Sequence, residues 1–176
     1  MMKEAVTQAL KVIKQPAKKG FTLLEVLLAV AILGFALCSI LATYISGFVL
    51  TATSKNINIA TSIASGLMEE IRSASFAALR DGELQINNQS FIAIDDNLFA
   101  CHFPVDPIPS SMAVVYVDNI NPELLNLTIS ICWRQGNRII GEDNNLNGRL
   151  DAGEDKIPYN GLIDSPVELV TQIANR

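Results

Sequence analysis

The sequence of 176 residues contains a single histidine, His102, and three cysteines. The cysteines show no Cys-x-x-Cys or Cys/His spacing of the kind found in zinc sites. Nucleophile elbows, phosphate-binding loops, zinc-protease motifs and dinucleotide-binding motifs are also missing. A triad of cysteine, His102 and an acid can be drawn, but its only base has no obvious partner. The sequence therefore predicts a protein that is not an enzyme.

Charge is missing from a long stretch near the N-terminus, since no Asp, Glu, Lys or Arg occurs between Val26 and Ser54. A helix needs only about 20 residues to cross a bilayer, and this stretch is longer. The first 20 residues hold five lysines and one acid, whereas the remainder holds eight basic and seventeen acidic residues. The basic flank predicts a cytoplasmic N-terminus, a single membrane pass and an acidic body outside the cytoplasm. The acidic body argues against contact with nucleic acid, because phosphate binding needs a basic face.

The three cysteines lie in two different settings. Cys38 is inside the apolar stretch, where a small hydrophobic side chain is expected. Cys101 and Cys132 are in the outer body, where oxidation is possible. Two alternatives are open for this pair: a disulfide between Cys101 and Cys132, or two buried free thiols.

A specific motif, KKGFTLLE at residues 18–25, precedes the apolar stretch. An ordinary secretory signal has an apolar core of about 7–15 residues and a cleavage site after it. Here the core is too long and no clear cleavage site follows. The motif instead resembles the signal of type IV pilins and type II secretion pseudopilins, and a looser similarity to minor members of these families extends along the chain.

The resemblance implies that a prepilin peptidase cuts after Gly20 and methylates the new amine of Phe21. It also implies that Glu25 of one subunit meets the amine of its neighbour, since each charge alone is unfavourable in an apolar environment. The further partners that it implies are other pilin or pseudopilin subunits, an inner-membrane assembly platform and membrane lipid, at the bacterial inner membrane. The alternative is that Glu25 lies at the interfacial end of a simple anchor helix and reaches water.

The apolar stretch continues into an amphipathic one, where Ile59, Ile63, Leu67 and Ile71 recur on one helical stripe. This pattern predicts one helix from about residue 22 to about residue 74. The predicted organisation is a leader over 1–20, a transmembrane or filament-core helix over 21–50, an amphipathic second half over 51–82 and a β head over 83–176.

Short alternating runs with turn signals follow Gly82 and predict β-strands. A hairpin is expected to turn at Asn87-Asn88, and a tight turn at residues 134–137. One long strand is expected to place Leu127, Ile129, Ile131 and Trp133 on one face and Thr128, Ser130 and Cys132 on the other. The predicted fold class is α+β, with a long N-terminal helix packed on a small antiparallel sheet, as in pilins.

Residues 143–154, DNNLNGRLDAGE, match the twelve-residue calcium loop at every specified position. The expected ligands are side-chain oxygens and one backbone carbonyl: Asp143, Asn145, Asn147, the carbonyl of Arg149, Asp151 and Glu154. Gly148 permits the sharp turn, and Leu150 is expected to point inward. A set made only of oxygen ligands suits Ca²⁺ rather than zinc. The alternative is a surface turn that binds no metal, and a partial copy at residues 160–164 lacks acids at its two ends.

These observations predict a structural minor pilin or pseudopilin subunit. A minor rather than a major subunit is predicted because Ala42 stands where many major pilins have a proline. The alternative function is a membrane-anchored periplasmic calcium-binding module that does not polymerise, with an anchored enzyme as a more distant third.

Overall fold

The computed structural model describes residues 20–156 and 159–175. The chain divides into two units between Gly47 and Phe48, and helix α1 (Leu23–Ser73) contributes residues to both. The bounds of α1 confirm the predicted helix from about residue 22 to about residue 74. The predicted leader lies outside the described residues, except for Gly20.

The unit that ends at Gly47 contains the first half of α1, whose apolar side chains are exposed along its whole length. Among the described residues, α1 is the one helix that is long and apolar enough to cross a membrane. The hydroxyls of Ser39, Thr43 and Ser46 donate to the carbonyls four residues earlier, at 2.9–3.0 Å. These polar groups are therefore satisfied inside the helix and need no water, which suits an apolar environment.

The unit that begins at Phe48 contains the second half of α1 and the β head. The buried residues of this half are Ala60, Ala64, Leu67, Met68 and Ile71. They recur every three or four residues, as the amphipathic pattern predicts. The predicted stripe contained Ile59 and Ile63. In the structure the fully buried residues are the next ones along the helix, Ala60 and Ala64, and the two isoleucines pack beside them, partly buried.

The amphipathic helix predicted over residues 51–82 is interrupted in the structure. Helix α1 ends at Ser73, and a separate short helix, α2, covers Phe76–Arg80. Asp81 and Gly82 follow α2 rather than α1. Gly82 has φ +69°, and a Cβ added there would lie 2.8 Å from the ring of Phe99. Glycine is therefore required where the chain turns from the helices into the sheet.

Eight strands follow: β1 (Gln85–Ile86), β2 (Gln89–Ser90), β3 (Ile92–Asp95), β4 (Leu98–Pro104), β5 (Ser111–Asn121), β6 (Leu124–Gln135), β7 (Arg138–Ile140) and β8 (Glu168–Ala174). Strands β1 and β2 form the predicted hairpin, with Asn87 at φ 50° and Asn88 at φ 61°. Two positive φ angles in a two-residue turn match the right-handed twist of the flanking strands.

The main sheet is antiparallel with the order β3-β4-β5-β6, and both β7 and β8 pair with the remaining side of β6. Strand β7 pairs with the end of β6 at residues 133–135, and β8 pairs with residues 124–130. The segment between β7 and β8, residues 141–167, is a long insertion that leaves and rejoins the sheet along one strand.

Apolar residues cover both faces of the sheet. The inner core lies on the helix-facing side and contains the predicted face of β6, from Leu127 to Trp133, together with the buried residues of α1. The outer cluster lies on the opposite side and contains Val114, Tyr116, Cys132 and Ile163. The predicted α+β fold, a long N-terminal helix with an antiparallel β head, is confirmed.

The two cysteines of the head are free thiols in the structure. Cys101 belongs to the inner core, whereas Cys132 belongs to the outer cluster. They lie on opposite faces of the sheet, so a disulfide between them would have to pass through it. Of the two alternatives for this pair, the structure has the buried free thiols, and the disulfide is wrong. Burial raises the pKa of each thiol to about 11.

Candidate functional site

The start of α1 is the first candidate site. Gly20 and Phe21 precede the helix, and Phe21 is 81% exposed. A Cβ added at Gly20 would meet no atom of the described residues within 4 Å, and its φ does not require glycine. The fold of the described chain therefore does not explain the glycine at this position.

Thr22 caps the helix. Its hydroxyl oxygen accepts the backbone N–H of Glu25 at 3.3 Å, and its carbonyl accepts the N–H groups of Glu25 and Val26 at 3.0 and 3.2 Å. The sequence Thr-x-x-Glu is a capping-box signature, which sequence reasoning about the motif overlooked. With this cap, the helix begins at Leu23, and only Phe21 and Thr22 separate it from Gly20.

Glu25 lies in the first turn of α1, where a carboxylate interacts favourably with the positive end of the helix dipole. In the described part of the chain, the ion pairs are Arg72 with Glu69 and Arg80 with Asp81, and Glu25 has no basic partner. An amine at position 21 would carry the opposite charge one turn away along the helix. The geometry therefore allows Glu25 both a local role in helix capping and a role towards a cation from outside its own chain.

Residues 15–42 match the family model described as the prokaryotic N-terminal methylation motif. The chain carries the type IV pilin and pseudopilin signal. This confirms the resemblance drawn from KKGFTLLE, and the methylation motif indicates a structural protein and a substrate of prepilin peptidase. The chain matches no curated protein and no solved structure.

The second candidate site is the predicted calcium loop within the insertion. Asp143 is fully buried, and its carboxylate accepts the backbone N–H groups of Asn147 at 3.0 Å and Gly148 at 2.7 Å. Glu154 is also buried, and it accepts the N–H groups of Asn144 at 2.8 Å and Asp151 at 3.0 Å. The first and last acids of the motif therefore fold the loop around their own side chains.

The remaining predicted ligands converge on the same loop. The amide groups of Asn145 and Asn147 both donate to Oδ2 of Asp151, at 2.7 and 2.9 Å. Their side-chain oxygens accept the N–H groups of Asn147 and Arg149 respectively. The five predicted side chains are thus joined in one hydrogen-bonded loop, although their oxygens are engaged with N–H groups of the loop.

Gly148 is required at the turn for two reasons. Its φ is +73°, and a Cβ there would lie 2.4 Å from Cβ of His102 on β4. The loop therefore packs directly against His102, a residue for which the sequence predicted no role. Leu150 packs against the outer cluster, partly buried, which confirms the prediction that it points inward.

The residues of the loop fit a hard cation by their chemistry, because every predicted ligand is an oxygen. Two buried carboxylates without a basic side chain beside them are unfavourable unless hydrogen bonds or a cation stabilise them. In residues 20–156 and 159–175, however, no three side chains of His, Cys, Asp or Glu are grouped as a metal site. A bound cation would therefore need the Asn oxygens and the Arg149 carbonyl to complete its ligand set.

Glu142, just before the motif, is a residue that sequence reasoning missed. It is buried, and its carboxylate accepts the N–H groups of Lys156 at 3.1 Å and Asp164 at 3.3 Å. The partial copy at residues 160–164 is held by Asn160, which bonds to Asp164 and Leu162. In the sequence, Glu142 shows only as an acid directly before the loop. Its two hydrogen-bond partners are 14 and 22 residues away in sequence.

Tyr116 connects the insertion to the sheet. Its hydroxyl accepts the N–H of Ile163 at 3.1 Å, and both residues belong to the outer cluster. Burial raises the pKa of Tyr116 to about 12. The insertion is therefore anchored at Leu150 and Ile163, and the candidate calcium loop rests on the outer face of the sheet.

Proposed function

We propose that the chain is a structural minor subunit of a type IV pilus or of a type II secretion-like filament, cut after Gly20 and N-methylated on Phe21. The methylation motif at residues 15–42 carries this proposal. The exposed apolar half of α1 supports it, because such a surface needs lipid or neighbouring helices around it.

The segment around Gly20 fits a protease that recognises an exposed, non-helical segment. The Gly20–Phe21 bond precedes the helix, and no atom of the described residues requires the glycine. After cleavage, the amine of Phe21 begins a helix that Thr22 already caps. The new N-terminus therefore needs no rearrangement of α1.

Glu25 supports assembly rather than anchoring alone. An ionised carboxylate in an apolar environment is unfavourable unless a cation pairs with it. No basic side chain in the described part of its own chain pairs with Glu25. The methylated amine of an adjacent subunit is the cation that the proposal supplies.

The decisive experiment is intact-mass analysis of the native N-terminus, which we expect to show N-methyl-Phe21. Gly20→Ala should block cleavage without affecting the fold, since the added methyl group has open space. Gly34→Ala is the matched control, because it also has open space but lies inside the helix, and it should leave cleavage unaltered. A mature protein that retains residues 1–20 would overturn the proposal.

We also propose that the loop over residues 143–154 binds Ca²⁺, which would stiffen the insertion. The ligands would be Asp143, Asn145, Asn147, Asp151, Glu154 and the carbonyl of Arg149. The buried carboxylates of Asp143 and Glu154 support this, because a divalent cation would compensate both charges. Millimolar calcium outside the cell would fill even a weak site of this kind.

The same loop favours a second candidate function, a membrane-anchored periplasmic calcium-binding module that does not polymerise. In that case Glu25 would be a solvated residue at the end of an anchor. The two functions differ in whether the unaltered chain is recovered in filaments and whether that recovery depends on Glu25.

A further inference from the structure

The main sheet has two open edge strands, β3 and β8, with exposed apolar residues. In the described chain, β3 pairs only with β4, and β8 pairs only with β6. Ile92 and Ile94 of β3 are 51% and 57% exposed, and Val170 of β8 is 65% exposed. An open strand edge with apolar side chains favours pairing with a strand of another chain.

The two edges are in register across the sheet. Ile92 lies opposite Ala100, which lies opposite Tyr116. Tyr116 lies opposite Thr128, which lies opposite Val170. Ile92 and Val170 are thus the two ends of one row of side chains, and the row lies on the face of the outer cluster.

The directions of the edge strands also match. Each neighbouring pair along β3-β4-β5-β6-β8 is antiparallel, so β3 and β8 run in the same direction. A second copy added beside the first without rotation in the sheet plane would bring its β8 next to β3 as a parallel pair. Strands in a sheet are about 4.8 Å apart, so its Val170 would contact Ile92.

We propose that the β8 edge of one copy pairs with the β3 edge of a second copy, with Val170 packed beside Ile92 of the second copy. The proposal rests on the proposed function, because a filament places subunits side by side. It adds a contact between heads to the contact between helices, and it predicts that two copies occupy neighbouring positions.

The polar residues on either side of this row are complementary. The next row contains Asp95, Leu98, Asp118, Asn126 and Gln172, in that order across the sheet. Gln172 of one copy would therefore reach Asp95 of the second copy, and its side-chain amide can donate to that carboxylate. The row on the other side ends at Glu168 on β8 and at His102 on β4.

A basic side chain lies on the same face of the sheet as the β3 edge. Arg149 lines the same cavity, of about 430 Å³, as Ile92 and His102. Within its own copy, burial and then the carboxylate of Asp164 raise the pKa of Glu168. A guanidinium group from the second copy would compensate this carboxylate, whereas nothing in the described part of its own copy forms an ion pair with it.

The other edge pairings are less complementary. Two β3 edges related by a twofold axis would run antiparallel and bring Ile92 near Asp95 of the other copy. Two β8 edges would leave Ile92 and Ile94 exposed. A head-to-tail contact covers both apolar edges, and because its two surfaces differ it can continue along a fibre.

The test is a cysteine cross-link in the full chain, produced in its natural membrane. All variants carry Cys38→Ser, and Cys101 and Cys132 are buried. One chain carries Ile92→Cys and a second, co-produced chain carries Val170→Cys. Mild oxidation should yield a cross-linked dimer that contains one chain of each kind, because neighbouring strands have Cα separations within the range for disulfides.

Two controls separate this contact from random collision. Ile120→Cys is also highly exposed, at 74%, but β5 is not an edge strand, so it should not cross-link to Val170→Cys. Gln172→Cys lies two residues along β8, about 8 Å from Ile92 in the proposed pairing, so its cross-link to Ile92→Cys should be several-fold weaker. Either variant alone should give no dimer.

Failure of this inference is distinguishable from failure of the proposed function. Mass analysis of Phe21 and recovery in the sheared filament fraction are measured on the same cells. A processed, filament-bound chain without the Ile92–Val170 cross-link would overturn the contact, and so would a dimer formed by Ile92→Cys alone. An unprocessed chain, or one that is not recovered in filaments, would overturn the proposed function instead.

Discussion

Glu25 is the residue that separates a filament subunit from a simple anchor. Glu25→Ala should leave cleavage after Gly20 intact and should lower recovery in the filament fraction at least tenfold, because the amine of the neighbour loses its counter-charge. Glu69→Ala is the control, since Glu69 is a solvated surface residue that pairs only with Arg72. Normal filament recovery of Glu25→Ala would contradict the assembly role of Glu25, whereas absence of the unaltered chain from the filament fraction would favour the non-polymerising calcium module.

Gly148 offers a test of the packing beneath the loop. Gly148→Ala should destabilise the head by about 3 kcal/mol, because it adds a contact with His102 to the strain of a positive φ. Gly161→Ala has a similar φ of +74° but open space around it, so it should lose only about 1 kcal/mol. Thermal unfolding of the two variants measures the difference, and equal losses would contradict the contact with His102.

Individual residues also show what sequence patterns cannot supply. The paired turn residues Asn87 and Asn88 and the alternation along β6 were predictable, because both depend on neighbours in sequence. The placement of Cys101 and Cys132 was not, since it depends on which face each of two distant strands turns to the helix. Glu142 was missed for the same reason, as its partners belong to the far end of the insertion.

At the scale of elements, the loop over residues 143–154 gives the calcium prediction. Calcium at about 100 times its dissociation constant should stabilise the head by about 2.7 kcal/mol, and chelation should remove that gain. Glu154→Gln should abolish the calcium response, because it removes the last ligand charge. Asp106→Asn, which changes an exposed acid on the β4–β5 connection, should retain it, and an unchanged melting temperature of the unaltered chain with and without calcium would contradict the site.

The anchoring of the insertion by Tyr116 gives a second prediction for this element. Tyr116→Phe removes the acceptor for the N–H of Ile163 and leaves that group buried, which costs about 1–3 kcal/mol. The expected result is a lower melting temperature with unaltered cleavage at Gly20. Tyr159→Phe, at an exposed position, is the control and should have no effect on stability.

The bounds of helix α1, in contrast, were largely predictable from the sequence. Its start and its end at Ser73 were foreseen within a residue or so, because a charge-free run and an apolar stripe are local signals. The break before α2 was not foreseen in the domain boundaries, since residues 76–80 are themselves good helix formers. The chain turns again after α2, at Gly82, which packs against Phe99 of a strand that follows later.

At the scale of the whole molecule, titration of buried groups predicts loss of stability in alkali. The folded pKa of Tyr116 is about 12 against an ordinary 10.0, and that of each buried thiol is about 11 against 9.0. Because the folded state holds these protons more tightly, their contribution is complete below pH 9 and is lost as the pH rises towards 12. Melting temperatures of the unaltered chain and Tyr116→Phe should fall together from pH 9 to 10, and the unaltered chain should fall more steeply above pH 10.

The insertion leaves the sheet after β7 and returns at β8, and both strands lie along the same side of β6. A segment whose ends are fixed so close together can be exchanged as a cassette with little effect on the connectivity of the sheet. Any replacement would have to bring its own equivalents of Leu150 and Ile163, because these side chains seal the outer face. Insertions of different surface chemistry could thus be carried by one β head without redesign of helix α1.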